Sequence, residues 1–240
     1  MASPFRNLKK GIRRLFNVQT VTLDGVTAST DPSLVGKLVR NGLFKETYEE
    51  PERILVRETL HHDDRVLEIG GGIGFVSILC AKICGDTNIL IYEANPRMVT
   101  VIEKNFKLNG LTPQLRCKGI TPDGRDATFF VSDNILSSSL YKRNGTSAQK
   151  VPADAIDQVI AEWQPNALVM DAEGAEVDIL GGSTLVGLTK LIIEFHPHIV
   201  GEERIQQLKK HLAGLGFEEG RSILNTVGFH RRVGCERSRK

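Results

Sequence analysis

Aromatic residues are scarce in this chain: one tryptophan, three tyrosines and ten phenylalanines make up 6% of its 240 residues. Proteins that stack successive nucleic-acid bases interleave aromatic with basic side chains, and no such stripe is present, so nucleic acid is not an expected partner. Cysteine is equally sparse. Cys80, Cys84, Cys117 and Cys235 show no paired metal-ligand spacing, and two cysteines four apart in an apolar segment read as small core hydrophobes. Long apolar runs are missing too. No stretch approaches the roughly 20 apolar residues that cross a bilayer, and Leu15-Phe16-Asn17-Val18-Gln19-Thr20 never becomes the core of a secretory leader. A cytoplasmic protein with reduced thiols is the expectation.

What is present is ordinary in amount and uneven in distribution. Hydrophobic residues make up 40% and charged residues 25%, enough for one α/β domain with a sizeable core. The net charge of +2 conceals two basic ends. Arg6, Lys9, Lys10, Arg13 and Arg14 stand near one end without an acid. Arg231, Arg232, Arg237, Arg239 and Lys240 stand near the other against Glu236, and the body between is acidic. The simplest reading of such short runs is a solvated tail. A membrane-surface contact by the basic N-terminus is the other reading the charge allows, and oligomeric state is not legible. The expected organisation is an N-terminal extension over 1–45, a catalytic domain over 46–233 and a basic tail over 234–240.

Residues 1–45 offer short apolar clusters broken by glycine and proline. From Glu46 the pattern is regular. Periodicity predicts helices over 52–60, 75–84, 95–109, 175–180 and 204–212, with a further helix that Asp154 can cap. Short apolar runs predict strands at 65–69, 88–92, 114–119, 127–131, 167–170 and 191–195, and a closing antiparallel hairpin over 217–233. Asn95 and Pro96 form a helix start, an N-cap followed by proline at the first helical position. The polar segment 132–150 reads as a long binding loop, in which Ser137, Ser138, Ser139 and Tyr141 could meet a hydroxylated ligand. Trp163 sits at helical spacing with Val159 and Ile160 and reads as core. Alternating strands and helices imply a mainly parallel, doubly wound sheet that binds ligands at the carboxyl ends of its strands.

The strongest motif is Val66-Leu67-Glu68-Ile69-Gly70-Gly71-Gly72-Ile73-Gly74, a strand running into a glycine loop that opens a helix. A dinucleotide fingerprint would place glycine where Phe75 stands. Pyrophosphate also disfavours a neighbouring carboxylate, whereas the sulfonium and ammonium of S-adenosyl-L-methionine suit Glu68. Glu93, just beyond the next strand, offers two acceptor oxygens to two ribose hydroxyls. The expected cofactor-binding set is Tyr48, Glu68, Gly70, Gly72, Gly74, Glu93 and Asn95.

Tyr48-Glu49-Glu50-Pro51, VLEIGGGIG, YEANP, the run Asp171-Ala172-Glu173-Gly174-Ala175-Glu176 and Ile192-Ile193-Glu194-Phe195-His196 together resemble the FkbM family of methyltransferases over about 48–198. Family members usually carry Asp and Ala-Asn where this chain has Glu68 and Gly71-Gly72, changes that keep the acid and the small residues. The resemblance implies a class I methyltransferase-like Rossmann fold with S-adenosyl-L-methionine as cofactor. It further implies O-methylation of a small-molecule acceptor, a sugar or natural-product hydroxyl. The alternatives are an NAD-dependent oxidoreductase and a cofactor-binding module without turnover.

A hydroxyl acceptor needs a positioned base. Asp171 and Glu173 follow one strand, Glu194, His196 and His198 another. Asp171, His196 and Glu173 are therefore the candidate catalytic residues, with His196 the best base by its ordinary pKa and helix capping the alternative role for Asp171. Asp171, Glu173, Glu194 and His196 have the chemistry of metal ligands, but no contiguous ligand spacing supports a site, so none is expected.

Overall fold

A computed structural model describes residues 4–132 and 146–231. Ser137, Ser138, Ser139, Tyr141 and the basic tail lie outside the described residues. The chain begins with helix α1 (Pro4–Leu15), the hairpin β1 (Thr20–Leu23) and β2 (Val26–Ser29), and helices α2 (Lys37–Lys45) and α3 (Glu50–Thr59). It continues through β3 (Val66–Ile69), α4 (Phe75–Cys84), a 3₁₀ turn at Asp86–Asn88, β4 (Ile89–Tyr92), α5 (Pro96–Leu108) and β5 (Gln114–Arg116). Short strands β6 (Gly119–Thr121), β7 (Ala127–Ser132), β8 (Thr146–Val151) and β9 (Ala153–Ala155) come next, then α6 (Ile156–Trp163), β10 (Ala167–Met170), α7 (Glu176–Leu180) and β11 (Lys190–Glu194). Helices α8 (Pro197–Val200) and α9 (Glu202–Gly214) lead to the closing pair β12 (Phe217–Ile223) and β13 (Thr226–Arg231).

Seven strands form the central sheet in the order β12-β13-β11-β10-β3-β4-β5. The five from β11 to β5 are parallel, and β13 runs antiparallel to both neighbours. The order reverses between β3 and β10, and a doubly wound sheet opens a crevice at that switch point. Strand residues alternate between two cores. Ile89, Ile91, Val169 and Ile192 join the hairpin and helices α2–α5, while Leu90, Leu168, Met170, Leu191 and Ile193 join α6, α7 and α9. A sheet buried on both faces needs apolar residues at every position, which is why β3, β4 and β10 are short and almost wholly apolar. Beneath the sheet, buried Asp64 accepts hydrogen bonds from the His61 N–H, Asn166 and Lys190, tying together the starting ends of β3, β10 and β11.

Three local expectations need correction. The strand expected over 114–119 is two strands in two sheets, because β5 ends at Arg116 and β6 pairs with β9 instead. Part of the expected long loop is β8, paired antiparallel with β7. Asp154 does not cap α6, whose N-cap is Ala155; its carboxylate accepts instead from the Tyr92 hydroxyl and Lys118. Asn95 caps α5 as expected, its side chain accepting from the Arg97 N–H. Trp163 is half-buried, and its indole N–H donates to the Val66 carbonyl.

Residues 20–45 are integral to the first core, with Val26, Ala28, Leu43 and Phe44 fully buried. Two asparagines of α5 fasten the hairpin. Asn109 exchanges hydrogen bonds with both backbone groups of Thr27. Fully buried Asn105 accepts from the Ser29 N–H at 2.8 Å and donates to the Ile73 carbonyl at 2.8 Å, joining the hairpin to the glycine loop. Asn105→Ala strands both groups, so guanidinium titration should show a loss of about 2–4 kcal/mol. A loss below about 0.5 kcal/mol, the level of ordinary surface changes, would mean that water or a local shift replaces the asparagine.

Candidate functional site

The glycine loop follows β3 because the backbone there takes conformations closed to other residues. Gly70, Gly72 and Gly74 have φ of 90°, 54° and 78°. An added Cβ at Gly70 would stand 1.8 Å from the Asp171 carbonyl oxygen, at Gly71 2.8 Å from Ile91, and at Gly74 3.2 Å from Ile102. At Gly72 it would meet only the tips of Glu49 and Tyr48, at 3.6 Å each. Gly70, Gly71 and Gly74 thus allow close packing of strand, loop and helix, while Gly72 has only side-chain tips at ordinary contact distance.

A cleft of about 790 Å³ opens at the switch point. Gly70, Gly72, Glu93, Asn95, Asp171 and Glu173 line it, with Met98, Ile120 and Ile179 among its apolar walls. Glu93 is buried, and its carboxylate accepts from the Gly72 N–H at 2.9 Å and the Asn95 N–H at 2.7 Å. Burial raises its pKa to about 7 against those backbone donors.

Three expected residues lie away from this cleft. Gly74 packs against α5. Buried Glu68 lines a smaller cavity of about 340 Å³ with Glu49, Glu52, Gly70, Gly71 and Asp171. Tyr48 stands close to Gly72 on that side, its ring edge-on to Phe75, and Arg53 fixes its segment by donating to the Tyr48 and Glu46 carbonyls.

His196 is the fourth displaced residue. It is buried behind Asp171 and Glu173, with Nε2 at 3.5 Å and 3.9 Å from their carboxylates, and so does not face the cleft as a free base would. Its Nδ1 is 3.0 Å from Oε1 of Glu176. Glu176, fully buried, also accepts from the Ala172 and Gly174 N–H groups. Glu176 carries no assigned role in the sequence beyond its place in the family run. The second acid of D-x-E-G-x-E was the available signal, but only burial assigns it to His196. Strands β10 and β11 are parallel neighbours, which brings Asp171 and His196 together. Glu173 holds a left-handed φ of 50°, costly for a residue with a Cβ. Asp171 caps no helix, since the N-cap of α7 is Ala175, and His198 is exposed beside the His196 ring.

Acids crowd this end of the sheet. Burial, with help from neighbouring carboxylates, raises Glu49 to about 8, Glu68 to about 8 and Glu194 to about 7. Asp171 is pushed well above the usual carboxyl range by burial, then by Glu194 and Glu173. One oxygen each of Glu68 and Asp171 is buried without a hydrogen-bond partner. For His196, burial opposes the charged ring, but Glu176, Glu173 and Glu194 outweigh it and the pKa rises. Such a site attracts cations. Ligand atoms of Asp171, Glu176 and His196 lie within 4.8 Å of one another, a trio that could hold a metal ion, with Glu176 in place of the expected Glu173 and Glu194.

Each of these groups binds its proton more tightly in the folded protein, so its contribution to stability is complete at low pH and is lost as pH rises through the folded pKa. Carboxylates held below their ordinary range, such as Asp64, act in the opposite sense but only in acid. The melting temperature of the ligand-free protein should therefore fall between about pH 6 and about pH 8.5. A flat or rising profile in a scanning fluorimetry series would mean that these carboxyls are solvated.

Comparison with known proteins bears on the same residues. The family described as the methyltransferase FkbM domain matches residues 65–229, from the base of β3 to β13. The protein-lysine N-methyltransferase EFM3 of Chaetomium thermophilum is 36% identical over 56 residues, 23% of this chain and 17% of that protein. The hexuronic acid methyltransferase AglP of Haloferax volcanii is 24% identical over 148 residues, 59% of this chain and 60% of that protein. The chain thus spans less than two thirds of either curated relative. Among solved structures, the precorrin-6y C5,15-methyltransferase of Geobacter metallireducens is 14% identical with a TM-score of 0.48, covering 84% of this chain and 91% of that one. The family match sets aside the NAD-dependent oxidoreductase reading: this chain belongs to the FkbM family of S-adenosylmethionine-dependent methyltransferases.

Proposed function

We propose that the protein transfers a methyl group to a hydroxyl of a small polyhydroxylated acceptor of the sugar or natural-product kind. The observation that carries this reading is the line of groups from buried Glu176 through buried His196 to half-buried Asp171 at the cleft wall. The match to a hexuronic acid methyltransferase supports the acceptor class.

The donor set suits the cofactor. Acids with unpartnered oxygens fit a ligand bearing a sulfonium and an ammonium, and the loop gives a ligand close access to backbone. Glu93 and Asn95 would hold the ribose side. Glu68 and Tyr48 would serve the amino-acid side, with Gly70 and Gly72 between them and Gly74 keeping the loop on α5. When bound, S-adenosylmethionine supplies an electrophilic methyl group. The chain's part is to position the hydroxyl and take its proton, where positioning can be worth roughly 7–11 kcal/mol.

Asp171 reaches the cleft, and its raised pKa makes it a stronger base than an ordinary carboxylate. In this reading it receives the hydroxyl proton. His196, held by Glu176 through Nδ1, stands behind it through Nε2 as a positioning residue. Glu173 holds the acceptor at the rim. The left-handed backbone at Glu173 fits a group fixed for such a task.

Glu93→Ala should weaken S-adenosylhomocysteine binding about 10–150-fold, the size of a hydrogen bond to a charged group, as read by calorimetry. Unchanged affinity removes Glu93 from the site. Asp171→Asn should lower kcat by about 10²-fold or more at unchanged cofactor affinity. Glu176→Gln should displace the pH–rate profile, because His196 loses its charged partner. If chelation abolishes activity and Mg²⁺ or Mn²⁺ restores it, Asp171 is a metal ligand and the base lies elsewhere.

A further inference from the structure

Helix α1 carries an apolar face that no part of the described structure covers. None of its residues is buried. Phe5, Leu8, Ile12 and Leu15 are 62%, 60%, 49% and 80% exposed, and Phe16 just beyond is 73% exposed. Their spacing places all five on one stripe of a helical wheel. An amphipathic helix ordinarily docks by such a stripe. Here the helix is held by its charges instead: Arg6 forks onto Glu50, Lys9 and Arg13 bind Glu46, and Arg13 also donates to the Phe44 carbonyl. The apolar stripe is left facing water.

The charge around the stripe is one-sided. Among the described residues, Lys10, Arg14, Lys37 and Lys45 form no ion pair. They also lie close together: the Lys10 pKa is lowered, first by loss of hydration and then by the charges of Lys45, Arg14 and Lys37. Lys10 and Arg14 stand on the polar face of α1, opposite the stripe.

We propose that α1 is a membrane-surface anchor whose stripe of Phe5, Leu8, Ile12, Leu15 and Phe16 enters the interface of an anionic phospholipid bilayer, while Lys10, Arg14, Lys37 and Lys45 supply the attraction. An apolar stripe backed by a cationic polar face is the pattern of helices that lie in the interfacial plane, and each cation near an anionic surface strengthens the attraction. A second copy of the chain fits less well. A twofold contact opposes the same patch to itself and would leave the unpaired cations without an acidic partner. The inference is independent of the methyl acceptor and of the catalytic residues.

Flotation of the whole chain with vesicles tests it, comparing phosphatidylcholine alone with phosphatidylcholine containing about 30 mol% phosphatidylserine, an anionic content that gives a clear surface potential. Binding is expected on the anionic vesicles and not on the neutral ones. Leu8→Ser with Ile12→Ser and Leu15→Ser should cut it about tenfold or more, with circular dichroism unchanged because all three positions are exposed. Lys10→Glu with Arg14→Glu should cut it severalfold. As an insertion reading that leaves the stripe intact, Leu8→Trp emission should shift to the blue on anionic vesicles. No partitioning of the native chain overturns the proposal, as does partitioning that survives loss of the stripe. A native dimer that the serine variant dissociates in sedimentation velocity would assign the face to a second copy instead.

Discussion

The site depends on one close approach. Strands β3 and β10 are neighbours, and where they end the chain must leave in two directions while still in contact. It does so at Gly70, whose missing side chain admits the Asp171 carbonyl to within a distance no Cβ could tolerate. From that point the glycine loop turns into α4, and the β10 end turns through Asp171 to Glu173 toward α7. The cleft lies between these two exits. A larger residue at 70 would wedge the strands apart and move Asp171, so one position governs both the loop and the acid at the cleft wall.

Around that contact the protein assembles more negative charge than its interior can comfortably hold. Glu49, Glu68, Glu93, Asp171 and Glu194 all keep their protons more tightly than carboxyls in water do. Burial is the first cause at each, and mutual repulsion adds to it at every one except Glu93. The arrangement is tolerable because several are tied down: Glu93 by backbone amides, Glu176 by two more and by His196, and Glu52 by the Thr226 hydroxyl. A cationic ligand would relieve the crowding, and His196 is the internal counterweight.

Much of this was legible in the sequence where local rules decide. The apolar runs of β3, β4, β10 and β11, the Asn95-Pro96 start of α5 and the glycine loop follow from propensities and steric limits acting within a few residues. What was illegible depends on distant partners. Hairpin β1–β2 was hidden because Ser29 and Thr27 pair with Asn105 and Asn109, some 80 residues away. Asp154 reads as a cap, but Tyr92 and Lys118 draw its carboxylate elsewhere. The contact between Glu176 and His196 was hidden in the same way, since burial, not spacing, turns one into the partner of the other.

Glu93 shows what such an arrangement means for a ligand. Both of its oxygens already accept backbone N–H groups, so the side chain is frozen before anything arrives in the cleft. Immobilising a glutamate costs about 1.5–2 kcal/mol of rotamer entropy, and here folding has met that cost. A ligand that met this carboxylate would find its acceptors pre-set, and the loop would not need to reorganise. Recognition at this position would rest on fixed geometry and not on adjustment of the side chain.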